Sequence, residues 1–355
     1  MKVLMISGDP GVLEPGSDTG KRMEELRLAL GELYIVSAYG SVPSFIKAFF
    51  ECAKILRNKK IEIITAQGAE HAAIAWILSG VYKTPWQMQI HTDIMSPYFW
   101  QESFKNKIRV MLVKFLLPRA DCVRAVSNRI KRSLIKLNKN LDKPDKITVL
   151  PVFVDIEKIK NAPIKTDLHK KYPGRFIILM ASRITKEKNI GLALEVMREI
   201  VTHPLTPSLT VRDGDGGRVN PLLLIIGDGP ELEALKFEAY EFSLNDNVVF
   251  EPRADDLISY YKTCDLFLLT SNYEGYGRTL VEAAASGAKI ISSDVGIAPE
   301  ILEKECVFKI GGQEDLKQKL LLALGLRLPS PKPLSSQTKE EYLKLYKNSL
   351  DICQV

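Results

Sequence analysis

The chain lacks most of the features that would narrow its function at a glance. No stretch approaches about 18 consecutive apolar residues, so a helix spanning a bilayer is not expected. The opening MKVLMISGDPG meets glycine and aspartate too soon for a secretory signal peptide and reads as a first β-strand. Its five cysteines (Cys52, Cys122, Cys264, Cys306 and Cys353) are odd in number, widely spaced and free of any CxxC pair. Neither a disulfide framework nor a zinc site is expected, and a reducing, cytoplasmic setting fits that usage. Four scattered histidines offer no metal-ligand spacing, so no metal or other cofactor is expected.

What is present is an ordinary globular composition, 46% hydrophobic and 26% charged, over 355 residues. That length favours two domains over one. The net charge of +6 is uneven. Residues 1–160 carry 25 Lys and Arg against 16 Asp and Glu, whereas residues 161–355 carry 24 against 27. Short apolar runs alternate with helical patterns throughout. KVLMIS, ELYIVSA, IEIITA, WQMQIH, DCVRAVS and ITVLPVFV come first. A polar, lysine- and proline-rich stretch over 158–174 follows, and then FIILMAS, LLLIIG, NVVFE, DLFLLTS, KIISSD and CVFKI.

The βαβα rhythm predicts an α/β chain of two doubly wound, Rossmann-like domains facing a cleft, with ligands at the carboxyl ends of the strands. The expected domains are 1–163, rejoined by a C-terminal helix over 338–355, and 164–337. The segment 202–221, THPLTPSLTVRDGDGGRVNP, is too polar and too rich in proline and glycine to build a core, and reads as a mobile surface insertion.

The densest chemistry lies in the second half. In NYEGYGRTLVEAAASG, Glu274 and Glu282 stand eight positions apart. On one continuous helix they would be about 12 Å apart along the axis and roughly 80° around it. Hydrolytic carboxylate pairs sit about 5–9.5 Å apart across one bond. The two glutamates therefore read as contacts to different parts of an elongated ligand. Gly275 and Gly277 let backbone approach that ligand, and the N–H groups of Arg278, Thr279 and Leu280 open a helix toward an anion. After FIILMAS, Arg183 and Lys188 are two cations five residues apart, placed to clamp a diphosphate.

These motifs, in this order, resemble the family 4 retaining glycosyltransferases, which have the two-Rossmann GT-B fold. The Glu-x7-Glu segment stands as Glu274–Gly275–Tyr276–Gly277 followed by Glu282–Ala283, and the arginine–lysine strand end as Ser182–Arg183 with Lys188–Asn189. The glycine–proline turn stands as Gly227–Asp228–Gly229–Pro230. The resemblance is strong over about 175–310 and thinner before it. It implies that Glu274 meets the donor sugar near the reacting carbon, that Glu282 holds the ribose, and that Arg183 and Lys188 neutralise the leaving diphosphate. Tyr276 falls within the matched loop. It also implies a base site near Pro252 and Arg253, where arginine replaces the usual glycine. His91 would touch sugar and acceptor, and Gly20 would bring backbone to the donor phosphate.

Two look-alikes fail. GSDTGKR has too few residues between its glycines for a P-loop, and Arg22 stands where Ser or Thr is required. Asp213–Gly214–Asp215 imitates the metal-binding DxD of the other major glycosyltransferase fold, but it lies in the insertion of a chain with the wrong architecture for it and reads as a solvated turn. FIKAFFECAKILRNKK and FKNKIRVMLVKFLLPR mix apolar and cationic residues at helical spacing. They either cover the sheet or dock on an anionic membrane face. The expectation is a metal-independent retaining glycosyltransferase, cytoplasmic or peripheral on the membrane, with a nucleotide-sugar donor, a glycan or lipid-linked acceptor, and no nucleic-acid partner. The competing readings are a same-fold nucleotide-sugar epimerase or phosphorylase and a non-catalytic partner subunit.

Overall fold

The computed structural model describes residues 1–143, 146–202, 220–325 and 328–354. All twelve expected strands form: β1 Lys2–Ser7, β2 Glu32–Ser37, β3 Ile63–Gln67, β4 Trp86–Ile90, β5 Cys122–Ala125, β6 Ile147–Val149, β7 Phe176–Ala181, β8 Pro221–Ile226, β9 Val248–Glu251, β10 Leu266–Leu269, β11 Ile290–Ser293 and β12 Val307–Phe308. Every pairing is parallel, with registers such as Val3↔Ile63 and Ile178↔Leu223. Helices cover both sheet faces, so strands such as β7 and β8 are apolar without alternation, and even the two glutamines of β4 are buried. Thus β4, β7 and β8 are buried at every position.

The chain divides into two compact units, Met1–Phe153 with Thr338–Val355, and Val154–Gln337. The division falls ahead of the polar 158–174 stretch. The reason is local: Ile156 and Ile159 pack on Ala285 of the second unit, and Lys262 Nζ donates to the carbonyls of Lys160 and Ala162. The helix Lys339–Asp351 belongs to the first unit. It opens with a full capping box, Thr338 and Glu341, and buries Tyr346 and Leu350 against Val3, Met5 and Ile63.

One expectation is overturned here. Cys122 and Cys353, 231 positions apart, meet with Cα atoms 5.0 Å apart and are joined as a disulfide, because the C-terminal segment returns to β5. The return of the last helix to the first domain is expected, but spacing along the chain carries no trace of the pairing. The expected insertion falls, over 203–219, outside the described residues, and Asp213 and Asp215 go with it. Among the described residues no helix is long and apolar enough to cross a membrane.

Strand order fixes where each unit can bind. The first sheet runs β2-β1-β3-β4-β5-β6 and the second β12-β11-β10-β7-β8-β9. The order therefore reverses between β1 and β3 in one unit and between β7 and β10 in the other. At such a switch point the loops leave in opposite directions and open a crevice at the carboxyl edge.

Candidate active site

In the second unit the switch-point loops are those carrying Arg183, Lys188 and Glu274. Hydrogen bonds to backbone carbonyls tie them together: Asn272 N–H donates to the Glu187 carbonyl (2.8 Å), and Thr270 Oγ1 donates to the Lys188 carbonyl (2.8 Å). The result brings Lys188 Nζ to 2.5 Å from Glu274 Oε1, with both side chains 15% exposed. Ser271 Oγ donates to the same oxygen at 2.9 Å. Arg183 stands apart, with its side chain 81% exposed and only a 3.7 Å approach to Glu187. It is a cation held at the surface, Lys188 one held inside.

Gly277, at φ +91°, turns the chain into the helix Arg278–Ala285, a backbone conformation that a side chain would strain. Gly275 is buried and Tyr276 half-buried beneath this turn, and burial followed by Glu300 pushes the Tyr276 phenol up to about 12. The first-turn donors are fewer than expected. Leu280 N–H is already bonded to the Gly277 carbonyl at 3.0 Å, which leaves Arg278 and Thr279. Glu282 sits on the same helix and accepts from Arg278 Nε at 2.7 Å. Its partner is thus one turn away, the alternative that a helical glutamate always presents. Glu274 and Glu282 occupy different structures, a loop and a helix, and do not share one bond.

The glycine–proline turn has a packing role. Gly229 lies so close to the backbone of Ile184 that a Cβ would overlap the Ile184 carbonyl oxygen, and Ile184 N–H donates to the Asp228 carbonyl at 2.8 Å. This turn buttresses the Arg183 loop from behind. Arg253 lies exposed on the loop after β9. Sequence reasoning missed Glu251, which ends β9 and accepts from Lys171 (2.6 Å), Tyr260 (2.9 Å) and Tyr172. Burial opposes its charge, but these three donors outweigh it and hold the carboxyl below the usual range.

In the first unit the β1 and β3 ends, Gly8, Asp9, Gln67 and Gly68, line a cavity of about 310 Å³ with His71, His91, Glu70 and Arg109. Arg109 Nε donates to Glu70 at 2.7 Å, and against the pull of burial this keeps the Glu70 carboxyl below its usual range. His91 also faces a second cavity, of about 160 Å³, lined by Arg22, Arg124, Lys339 and Tyr342 among others. Crowding by the pocket walls, and then the Arg124 and Arg22 guanidinia, push the His91 imidazole down to about 3. The ring is nonetheless open to solvent through the cavities, so the two cations are the part of that shift that persists.

Gly20 does not offer the expected backbone donor. It lies inside the helix Asp18–Leu30, and its N–H is taken by the capping Ser17 hydroxyl at 2.8 Å. Glycine is required there because a Cβ would overlap the Glu14 carbonyl oxygen. The residues missed by sequence reasoning are Gln89, Arg124 and the C-terminal Tyr342 and Tyr346. Only the unusual run of polar residues inside strands, WQMQI and CVRA, signals them.

Two doubly wound parallel units, each with polar groups at its switch point, make up the GT-B architecture. The family follows from the sequence: residues 163–341 match the model for "Glycosyl transferases group 1" and residues 9–158 that for "Glycosyltransferase Family 4". The chain belongs to this glycosyltransferase family. It is 30% identical over 196 residues to N-acetyl-alpha-D-glucosaminyl L-malate synthase of Bacillus anthracis, a match covering 54% of this chain and 46% of the relative. It is 25% identical over 256 residues to UDP-Gal:alpha-D-GlcNAc-diphosphoundecaprenol alpha-1,3-galactosyltransferase of Escherichia coli, covering 70% and 62%. The matched stretches therefore span less than two thirds of either relative. Among solved structures, Anabaena HepE in complex with UDP superposes with a TM-score of 0.63 at 18% identity, over 99% of this chain and 96% of that one.

Proposed function

We propose that the protein is a retaining glycosyltransferase that takes a nucleoside diphosphate sugar in its second unit and a glycan or lipid-linked acceptor in its first. The carrying observation is the Lys188–Glu274 pair at the β7/β10 switch point. Without ligand each charge satisfies the other. A donor would separate them, with Lys188 and Arg183 taking the diphosphate and Glu274 the sugar hydroxyls. The charge that grows on the departing phosphate is then met by fixed cations and by the Arg278 and Thr279 N–H groups. Donors already in place around a developing charge are the strongest stabilisation such a site can supply. The sugar's anomeric carbon–oxygen bond breaks, and the acceptor oxygen bonds to that carbon on the same face. The acceptor's proton passes to the leaving phosphate oxygen, so no separate protein base is needed. The chemistry as written asks for no metal and no resident cofactor. The names of the two relatives, one a synthase of N-acetyl-alpha-D-glucosaminyl L-malate and one a galactosyltransferase to alpha-D-GlcNAc-diphosphoundecaprenol, support transfer to small or envelope acceptors.

Membrane contact has its own support in the first unit. Ile46 and Phe50 on the helix Val42–Asn58, Ile77 and Val81 on Ala69–Tyr82, and Phe104, Ile108 and Met111 on Phe104–Leu116 are all exposed. The helix Ala69–Tyr82 touches the other two, and the exposed Lys47, Lys54, Lys105 and Lys114 accompany this apolar face. Apolar side chains with flanking lysines suit an anionic lipid surface.

The deciding experiment measures transfer, or donor hydrolysis, across UDP-, GDP- and ADP-sugars with a thermal-shift panel of the same donors, each with and without EDTA. Stabilisation by one donor class and turnover that survives EDTA are expected. No binding by any donor overturns the reading, and strict manganese dependence overturns its metal-free form. Binding to anionic liposomes should fall as salt rises, and its absence at low salt removes the membrane contact.

A further inference from the structure

Four buried polar side chains in the first unit form a hydrogen-bond chain whose direction is set at both ends. At one end Gln87 Nε2 donates to the Ser349 carbonyl at 2.7 Å, which can only accept, so Gln87 Oε1 must face the other way. That oxygen accepts from the Thr65 hydroxyl at 3.1 Å, and Thr65 Oγ1 in turn accepts from Gln89 Nε2 at 2.6 Å. At the other end Arg124 Nη1 donates to Gln89 Oε1 at 3.1 Å, and a guanidinium can only donate. Both ends thus impose the same orientation on Gln89, independently. The remaining contact of Gln89 Oε1 is His91 Nε2 at 3.1 Å. An oxygen already accepting from Arg124 must accept here too.

Resting on the reading that His91 lies in the transfer site, we propose that Arg124 and Gln89, anchored through Gln87 to the C-terminal helix, are positioning residues. They hold His91 neutral with its proton on Nε2 and its lone pair on Nδ1. No protein partner occupies Nδ1 among the described residues. His91 therefore offers the site a hydrogen-bond acceptor, suited to a ligand hydroxyl, and cannot act as a proton donor there.

The charges around His91 agree. In its two cavities Glu70 is paired with Arg109 and Glu25 with Lys339, both at 2.7 Å. Asp9 accepts from Gly11 N–H at 2.9 Å at the start of its own turn. Arg22 and Arg124 have no carboxylate partner among the described residues, and both oppose a second proton on the ring. Arg124 is buried all the same. Carbonyls of Leu150 and Pro151, the Tyr342 hydroxyl and the face of Tyr346 surround it. Such a cation is kept for what it orients, since each neutral partner compensates its lost hydration only in part. The C-terminal helix, more than 200 positions from His91, thereby takes part in setting its protonation.

Imidazole-¹⁵N-labelled full-length protein provides the test. Long-range proton–nitrogen spectra distinguish the two tautomers directly, and His91→Asn identifies the His91 signal among the four histidines. The wild type should show the Nε2–H form and stay neutral well below the ordinary histidine range. Gln89→Glu places a carboxylate on the same ring nitrogen and should raise the His91 titration by about one pH unit or more. Arg124→Met removes one of the two cations that oppose a second proton and should also raise the His91 titration, while the Thr65 end still holds the neutral form with its proton on Nε2. A wild-type proton on Nδ1 overturns the proposal, as do unchanged His91 spectra in both variants when melting shows them folded. If the spectra come out as assigned and His91→Asn still transfers sugar at the wild-type rate, the positioning chain stands and the placement of His91 in the reaction fails.

Discussion

The two units meet the same topological problem with different materials. Each offers a crevice where strand order reverses. The second unit fills it with opposite charges on two loops, Lys188 against Glu274, locked by backbone bonds and by a glycine that admits no side chain. The first unit pairs its carboxylates with cations, Glu70 with Arg109 and Glu25 with Lys339, and sets a ladder of neutral amides and a hydroxyl between a buried arginine and His91. A pair of charges can change partners when a charged ligand arrives. A directed ladder of neutral groups can only present a fixed pattern of donors and acceptors. The first arrangement suits a diphosphate and the second suits hydroxyls, which is the division of labour that transfer from a sugar nucleotide requires.

That contrast breaks most readily at Glu274. On the proposed reading, Glu274→Gln removes a charge that would orient the sugar and stabilise positive character at its reacting carbon. Turnover should fall roughly a hundredfold or more while donor affinity changes less. Steady-state kinetics with a melting curve checks this, and near-normal turnover would leave only a binding fold. Next in size are the glycines that fit loops together. Gly229→Ala in the second unit and Gly20→Ala in the first should each cost about 2 kcal/mol or more, because backbone has to move away from the new methyl group. Gly229→Ala should also impair donor binding, since the Arg183 loop rests on it. Gly20→Ala should leave donor affinity unchanged, and a loss there would restore Gly20 as a phosphate contact. Glu282→Gln comes third. If Glu282 leaves Arg278 to hold the ribose, the donor's KM should rise by an amount worth about 1.5 kcal/mol with kcat steady. If it only pairs along its helix, the melting temperature falls and the kinetics stay as they were.

The same contrast explains what could be read from the chain. The second unit's site lies in loops that each follow one strand, so RITKEKN and NYEGYGR carry their chemistry in contiguous letters, and the twelve strands are legible as apolar runs. The first unit's site is assembled across β3, β4, β5 and a helix near the end of the chain. Arg124 is one polar letter inside the strand run DCVRAVS, and nothing near His91 in sequence points to Tyr346. Gly20 misled for a related reason. A glycine demanded by packing and one demanded by a ligand are the same letter, and only the Glu14 carbonyl beside it tells them apart. The meeting of Cys122 with Cys353 was invisible in the same way, being a consequence of where the last helix returns.

The smallest effect concerns hubs away from the chemistry. Glu251 gathers Lys171, Tyr172 and Tyr260 much as Gln89 gathers Arg124, His91 and Tyr346, but a carboxylate titrates and an amide does not. Because its donors hold Glu251 below its unfolded value, its contribution is fully present above the unfolded carboxyl pKa of about 4.3. That contribution is lost as pH falls through the lower, folded value. Glu251→Gln should therefore lower stability near neutrality by about 1 kcal/mol, the worth of charged hydrogen bonds reduced by partial solvent access. The gap between variant and wild type should close as the wild-type carboxyl takes up its proton in acid. Melting temperatures of both proteins from pH 7 down to about pH 3 measure that gap. A gap that stayed constant over the whole range would mean that Glu251 acts through shape, and the second unit would then use its charges at the switch point alone.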